Sequence, residues 1–313
     1  MMEAMIDKDT RTFIEVTEVW VPEGDRLTLA GGNYGDLVDF KAASGQTSFI
    51  KGEGLPGKAW AEERPVVFKS LEPASFKRAE AARAAGLTSA VAVPLFDGKV
   101  LKSVLVVLCG DGEDRIGALE VWKGADSLLT LDDGYYGAAK HFEFVSKHTQ
   151  FPRGQGLPGA VWAANTPILM RDLGASYGFV RAESAGKAGL TTGLGLPVPV
   201  PSGETFILTL LSARGTPIAR RFEIWDARAA RVGKANDAVL IDGICASEGR
   251  LWAGEAEEPR RATAWQGLIG RALGTGLPVV EQAVPGIAAG YENFVALPIH
   301  SKGELSHIVA WYS

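Results

Sequence analysis

Two glycine-rich loops are the first candidates for chemistry in the sequence. They read KGEGLPG (51–57) and RGQGLPG (153–159), and the backbone amides of such loops can cradle a phosphate group. A P-loop needs Lys-Ser/Thr after its last glycine, whereas Lys58-Ala59 and Ala160-Val161 follow here, and a dinucleotide site needs a parallel βαβ unit. The glycines therefore favour a tight loop leading into a helix, with an anion at the helix N-terminus as the remaining alternative.

The histidines and cysteines follow no pattern typical of catalysis or metal binding. None of the four histidines has the two-histidine spacing with a nearby carboxylate that a zinc or iron site needs: they are His141, His148, His300 and His307. Cys109 and Cys245 lie far apart and are interpreted as reduced packing residues. No nucleophile and base can be paired from the sequence, so the chain is predicted not to be an enzyme.

Charge and hydropathy restrict the choice of partners. The net charge is −5 and the pI is about 5.5, which disfavours electrostatic binding to nucleic acid or to an anionic membrane. The N-terminus, MMEAMIDKDTRT, lacks the basic start and apolar stretch of a secretory signal, and apolar runs such as VLVVL (104–108) have only the length of a strand. These features predict a cytoplasmic protein.

Five landmarks recur three times in the same order, about 102 residues apart. The first is EVW (18–20), EVW (120–122) and EIW (223–225); the second is GLPG (54–57), GLPG (156–159) and GLIG (267–270). Then come RPVV (64–67), TPIL (166–169) and LPVV (277–280), a strand that contains Pro94, Pro197 or Pro298, and a closing apolar strand. The sequence therefore predicts three repeats, 1–112, 113–215 and 216–313, which we call units 1, 2 and 3.

Each repeat alternates strand and helix patterns in one order. FIEVTEVWV (13–21) alternates apolar and polar residues as a half-buried strand does, and LPGAVWAAN (157–165) reads as a helix with Pro158 in its first turn. The stretch SFKRAEAARAAG (75–86) predicts a second helix with Ser75 as N-cap and Gly86 at its C-terminus. The order predicts the α+β class: three tandem units, each an antiparallel sheet flanked by helices. The short linkers predict that the units pack as a compact row.

Repeated tryptophans and arginines are the remaining candidates. Trp20, Trp122 and Trp225 occupy equivalent strand positions and are predicted to be buried core residues. Trp60 and Trp162 occupy equivalent helix positions. Their side chains either pack in the core or contact a ligand, and the sequence does not decide between these two roles. Arg78 and Arg181 lie in matching helices, where a solvated helix face is the ordinary interpretation.

Units 1 and 2 resemble the GAF domain family, a PAS-like sensory fold. The resemblance is carried by FPRGQGLPGAVWAANTPILMRDLGASYGFVRAESAGKAGLTTGLGLPV (151–198), and unit 1 has most of it in FIKGEGLPGKAW, RPVVFKSL, FKRAEAARAAGL and AVAVPL. Unit 3 keeps only WQGLIGRAL, LPVVEQ and VALPI, and is interpreted as degenerate. In GAF domains the Phe-x-Arg-Ala helix often forms a wall of the ligand pocket, where an arginine can meet a carboxylate or phosphate. The resemblance thus implies these ligand-binding residues: Trp60, Phe76, Arg78, Trp162, Asp172, Phe179 and Arg181.

The resemblance does not identify a ligand or cofactor. The cysteine cluster of the methionine sulfoxide reductase branch, the Cys-His pair of bilin-binding members and the cyclic-nucleotide signature are absent from the sequence. We expect a stand-alone sensory or regulatory protein that binds a small molecule in unit 2, with unit 1 as a second candidate binding unit, and that signals through a separate protein. A structural or interaction module with self-filled pockets is the second hypothesis, and a redox GAF enzyme the third. A homodimer remains open.

Unit 3 is predicted to have lost any ligand pocket. From Gln282 to Pro298 there are 16 steps along the chain, whereas the equivalent stretch from Arg171 to Pro197 has 26. The missing residues correspond to the Phe-x-Arg-Ala-Glu helix, and its replacement, AVPGIAAGYENF (283–294), reads as loop.

Overall fold

Unit 1 is a six-stranded antiparallel sheet with its helices on one face. The computed structural model describes residues 11–228, 237–251, 258–301 and 303–313. The elements of unit 1 are β1 (Val16–Glu23), β2 (Arg26–Asn33), α1 (Val38–Gly45), β3 (Phe49–Ile50), α2 (Gly54–Glu62), β4 (Val66–Phe68), α3 (Ala79–Ala84), β5 (Leu87–Asp97) and β6 (Val100–Gly110). The sheet has the strand order β3-β2-β1-β6-β5-β4, so the repeated Glu-x-Trp strand β1 lies in its middle.

Unit 2 repeats this arrangement element by element. Its elements are β7 (Ile116–Ala125), β8 (Leu128–Gly137), α4 (Lys140–Lys147), β9 (Phe151–Pro152), α5 (Gly156–Ala164), β10 (Ile168–Arg171), α6 (Ala182–Ala188), β11 (Leu190–Val198) and β12 (Thr205–Ala213). The strand order β9-β8-β7-β12-β11-β10 matches that of unit 1 position for position.

Unit 3 keeps the sheet but has one helix among its described residues. Its elements are β13 (Arg221–Asp226), β14 (Asp237–Cys245), β15 (Gly249–Arg250), β16 (Arg261–Thr263), α7 (Gly267–Thr275), β17 (Val279–Gln282), β18 (Asn293–Ser301) and β19 (Glu304–Tyr312). The stretch 283–292 contains neither helix nor strand, as predicted, whereas the last two residues of the predicted loop, Asn293 and Phe294, belong to β18. The α+β class and the antiparallel sheets agree with the sequence prediction.

The glycine-rich loops use their amides within the chain. Gly52 N donates to Gly57 O at 2.7 Å, and Gly154 N donates to Gly159 O at the same distance. Gly52 has φ 90° and Gly154 has φ 87°, values that favour glycine. A Cβ on Gly57 would lie 2.2 Å from the Ile50 carbonyl oxygen. These contacts support the interpretation of a tight loop leading into a helix.

The three units form a closed triangle, so the predicted row is wrong. Strand β4 of unit 1 packs near β8 of unit 2, and β17 of unit 3 packs near β2 of unit 1. Arg171 at the end of β10 pairs with Asp242 on β14, which joins unit 2 to unit 3. The reason is that apolar side chains occupy both faces of each sheet, and a row would expose the outer faces.

One shared core lies where the three sheets meet. Each sheet supplies aliphatic residues to it, such as Val91 from unit 1, Leu196 from unit 2 and Leu297 from unit 3. The opposite face of each sheet packs with the helices of its own unit. Any site under the helices therefore belongs to a single unit.

The predicted tryptophan and cysteine positions are confirmed. Trp20 and Trp122 have no exposed surface and Trp225 is 7% exposed. Cys109 and Cys245 are both buried and free. The second predicted helix of unit 1 is shorter than expected, since α3 begins at Ala79 and Ser75 does not cap it. The preceding residues form turns that direct Phe76 into the core.

Candidate functional site

An arginine side chain fills the space between sheet and helices in units 1 and 2. Arg78 is the residue before α3, and Arg181 holds the same place before α6. Their side chains are only 2% and 1% exposed, so neither lies on a solvated helix face. We call the space around each of these side chains the arginine cavity of its unit.

Each arginine forms a two-point ion pair with a glutamate of the central strand. Arg78 Nη2 donates to Glu18 Oε2 at 2.9 Å, and Arg78 Nη1 donates to the other oxygen of that carboxylate. In unit 2, Arg181 Nη2 donates to Glu120 Oε2 at 2.9 Å, with the same second contact through Nη1. Parallel contacts of this kind are the strongest geometry for an arginine and a carboxylate.

Four aromatic rings surround each guanidinium. In unit 1 the distances from Arg78 Cζ to the ring centroids are 5.3 Å for Trp20, 4.8 Å for Phe40, 5.9 Å for Phe49 and 5.2 Å for Phe76. In unit 2 the distances from Arg181 Cζ are 5.2 Å for Trp122, 4.6 Å for Phe142, 5.4 Å for Phe151 and 5.3 Å for Phe179. Ring faces this close attract the cation, and the attraction grows when water is excluded.

The Glu18 carboxylate of unit 1 accepts three further hydrogen bonds from neighbouring side chains. Trp20 Nε1 donates to Glu18 Oε2 at 2.9 Å, and Tyr34 Oη donates to Oε1 at 3.1 Å. Ser44 Oγ donates to the same oxygen at 2.8 Å. Burial and the charge of Glu18 raise the pKa of Tyr34, which keeps the phenol protonated as a donor. A buried charge needs such a full set of partners.

The unit 2 carboxylate accepts hydrogen bonds from a partly different set of donors. Thr209 Oγ1 donates to Glu120 Oε2 at 2.8 Å, and Trp122 Nε1 donates to it at 3.1 Å. Burial by itself would raise the pKa of Glu120, but the charge of Arg181 and the hydrogen bonds from Arg181, Thr209 and Ser146 outweigh it and lower the pKa. Glu120 is therefore an ion at neutral pH and suits the binding of a cation, not proton transfer.

In unit 3 the arginine that pairs with the glutamate comes from a different position in the chain. Arg221 Nε and Nη2 donate to Glu223 Oε1 at 2.8 and 2.6 Å, while Trp225 Nε1 donates to Oε2 at 2.9 Å. Arg221 precedes the glutamate by two residues on the same strand, where units 1 and 2 have Val16 and Ala118. The charge of Glu223 outweighs the opposing effect of burial and raises the pKa of Arg221.

The structure brings together only some of the predicted ligand-binding residues. Phe76 lies in the cavity with Arg78, and Phe179 lies in the cavity with Arg181. The half-buried Trp60 and Trp162 pack at the edge of their cores, beside the surface cations of Lys51 and Arg153.

Asp172 is exposed, with φ 51°, and follows the interface residue Arg171. Ligand binding by these seven residues stays a prediction.

Sequence reasoning missed the three glutamates, Glu18, Glu120 and Glu223. The signal was present, because residues two apart on a strand point to the same face. A buried tryptophan in Glu-x-Trp therefore implies a buried glutamate, which in turn requires a cation. The cation itself lies 60 residues further along the chain in unit 1, at Arg78, and could not be found from spacing.

Two kinds of feature are absent among the residues that the structure describes, a cluster of metal ligands and a membrane-spanning helix. There, no group of three or more His, Cys, Asp or Glu side chains is placed to hold a metal ion. Within the same residues, no helix has the length and apolar character needed to cross a bilayer.

Three antiparallel sheets, each packed against helices on one face, define a tandem-repeat α+β protein. Residues 16–121 match the model of the GAF domain family, so unit 1 is a GAF domain. Unit 2 shares its strand order and its buried arginine. No curated protein matches the chain.

Solved structures of GAF domains resemble parts of the chain. The A. aeolicus nlh2 GAF domain is 23% identical over 32% of this chain and 59% of its own length, with a TM-score of 0.25. The free methionine-R-sulfoxide reductase of Staphylococcus aureus, solved with its substrate, is 20% identical over 31% of this chain and 56% of its own, with a TM-score of 0.25. The GAF domain of a Coxiella burnetii phosphoenolpyruvate-protein phosphotransferase is 18% identical over 34% of this chain and 61% of its own length, with a TM-score of 0.27. The chain thus spans little more than half the length of these proteins, and likeness this low says nothing about ligand or activity.

Proposed function

We propose that the protein is a non-catalytic regulatory GAF protein whose first two cavities are occupied by its own arginine side chains, and that it acts through contacts with another protein. The observation behind the proposal is the position of Arg181. Its side chain is 1% exposed, and its guanidinium is paired with Glu120 and surrounded by four rings, so that space is filled.

A soluble ligand entering this cavity would have to displace a tethered competitor. Because Arg181 belongs to the same chain, its effective concentration at Glu120 is on the order of millimolar or higher. Expelling it would also leave a buried carboxylate unpaired until the ligand replaced the charge. These two terms favour self-filled cavities over cavities that exchange metabolites.

Native mass spectrometry of freshly purified protein tests this proposal. We expect the mass of the chain, or of a protein assembly, without a co-purified small molecule. The alternative result is a metabolite that co-purifies with the wild type and is released only on denaturation. If the same metabolite also binds Arg181→Met, in which the cavity is altered, its site lies elsewhere. A metabolite lost in that variant alone would overturn the proposal of a self-filled cavity.

The absence of catalysis has its own test. The enzymatic branch of the GAF family reduces free methionine sulfoxide through reactive cysteines. Here burial raises the pKa of the Cys109 thiol and keeps it protonated, whereas at Cys245 the opposing effect of burial is outweighed by hydrogen bonds with Ser247 and Tyr291, which lower the pKa. We expect no reduction of free methionine sulfoxide by the purified protein with a thiol reductant. Turnover that disappears in Cys109→Ser or Cys245→Ser would contradict the proposal.

The second candidate is a sensor that binds a small molecule and signals through a partner, and one observation favours it. Trp162 lines an open cleft of about 380 Å³ with Pro197, Val200 and Ser301, at the boundary between units 2 and 3. A partly exposed aromatic ring beside polar groups is a common element of ligand sites. A thermal-shift screen of a metabolite library on the wild type and Trp162→Ala would support it if a compound stabilises only the wild type.

A further inference from the structure

The arginine cavities hold a guanidinium group through its two Nη nitrogens and the surrounding rings, while its buried Nε has no hydrogen-bond partner in units 1 and 2. A planar cation with several N–H donors can bond both oxygens of one carboxylate, and Glu120 is bonded in this way by Arg181. Arg181 Nη1, which bonds Glu120, also donates a hydrogen bond to Ser146 Oγ. The ring centroids of Trp122 and Phe142 lie 5.2 and 4.6 Å from Arg181 Cζ. The contacts involve the head group of the side chain, not the backbone that carries it.

Unit 3 also pairs its glutamate with a guanidinium, although through one carboxylate oxygen. There the stretch 283–292 replaces the helix that carries the arginine, yet a guanidinium still bonds the equivalent Glu223. It comes from Arg221 on the same strand and lies 5.2 Å from the ring of Tyr312. Two unrelated backbone positions thus deliver the same cation to the same Glu-x-Trp strand.

We infer that the arginine cavities of units 1 and 2 are recognition sites for a guanidinium group, with Arg78 and Arg181 as tethered occupants. A free guanidinium compound then binds in the cavity once the tethered side chain is removed. The inference deepens the proposed function, on which it rests, by naming the chemical class that the cavity selects. Planarity and charge are both required, so urea and sodium ions should not substitute.

The test uses the full-length Arg181→Ala variant and methylguanidinium as the probe. About 20 mM is far below denaturing concentrations, because the denaturant slope is only a few kcal/mol per molar. We expect a saturable rise in the unfolding temperature of the variant, about 2–4 °C at ten times the dissociation constant. The wild type should show no such rise. Equal concentrations of urea or sodium chloride serve as the neutral and ionic controls.

The double variant Glu120→Gln, Arg181→Ala locates the effect. Removing the carboxylate should abolish the rise, because the cation loses its two-point partner. Arg78→Ala in unit 1 is the matched repeat of the experiment and should give the same response. If Arg181→Ala is unfolded when purified, methylguanidinium present during refolding should restore the folded fraction.

No recovery in either arginine variant, equal recovery with urea, or recovery in the double variant would overturn the inference. These outcomes are distinct from a failure of the proposed function, which a metabolite in the arginine cavity of the wild type would reveal by native mass spectrometry.

Discussion

Replacing Arg181 by methionine should destabilise unit 2 by about 3–5 kcal/mol, the usual cost of removing one partner of a buried ion pair. The Arg181 side chain is 1% exposed and the Glu120 side chain has no exposed surface, so water cannot compensate the orphaned carboxylate. Methionine fills much of the same volume and contacts aromatic rings well. The loss therefore reports the unpaired charge more than an empty cavity.

The matched control is Lys187→Met on helix α6. Lys187 pairs with Glu183 at 2.7 Å, but the two side chains are 65% and 84% exposed. Water and salt screen such a pair, so no measurable change is expected. The two variants thus remove a cation from the same helical region and differ in burial.

Hydrogen exchange followed by mass spectrometry is the assay, because it reports the opening free energy of each unit separately. Peptides from β7 and β12 should lose protection in Arg181→Met, whereas peptides from unit 1 should not. The double variant Glu120→Leu, Arg181→Met should recover most of the loss, since an apolar pair of similar volume often replaces a buried ion pair without cost. The reasoning is refuted if Arg181→Met is no more destabilising than Lys187→Met.

Single contacts give four further predictions. Trp122→Ala should cost about 3–5 kcal/mol in unit 2, and a near-neutral denaturant titration would contradict the assigned core position. Arg171→Ala should cost about 1 kcal/mol by removing the partly buried pair with Asp242, seen as faster hydrogen exchange in β14 with β7 unchanged. Trp265→Gly should stabilise unit 3 by about 1 kcal/mol in thermal denaturation, because Trp265 has φ 70° and is 69% exposed. Since the pKa of Glu120 is lowered on folding from its ordinary 4.5, its contribution is complete above about pH 4.5 and is lost as the pH falls; a unit 2 stability that rises on acidification would contradict this.

The degree of internal repetition explains why so much of the fold could be predicted from the sequence. Three copies of Glu-x-Trp, the glycine loop and the Pro-containing strand place the same elements in the same order. Local patterns then decide strand or helix, and the burial of Trp20, Trp122 and Trp225 follows from their alternation. These features depend on residues close together in the chain, which is why pattern and propensity suffice for them.

The triangle depends on contacts between units, which short linkers alone do not specify. Lys69, directly after β4, and Arg171, at the end of β10, occupy equivalent positions, and both pair with an aspartate of the next unit. At the third interface Gln282 instead hydrogen bonds with the backbone of Tyr34 and Gly35. Only the assembled fold reveals these residues as partners, because the paired positions are far apart in the sequence.

The arginine cavity, too, was predictable from the sequence only in part. The sequence by itself determined that a glutamate shares a strand face with a buried tryptophan, because strand periodicity is local. Only the tertiary structure decided which cation neutralises it: Arg78 and Arg181 arrive from a turn after several intervening elements, and Arg221 arrives from two residues away. The physical reason is that a buried charge needs a counter-charge nearby, but any part of the chain that comes close in the folded protein can supply it.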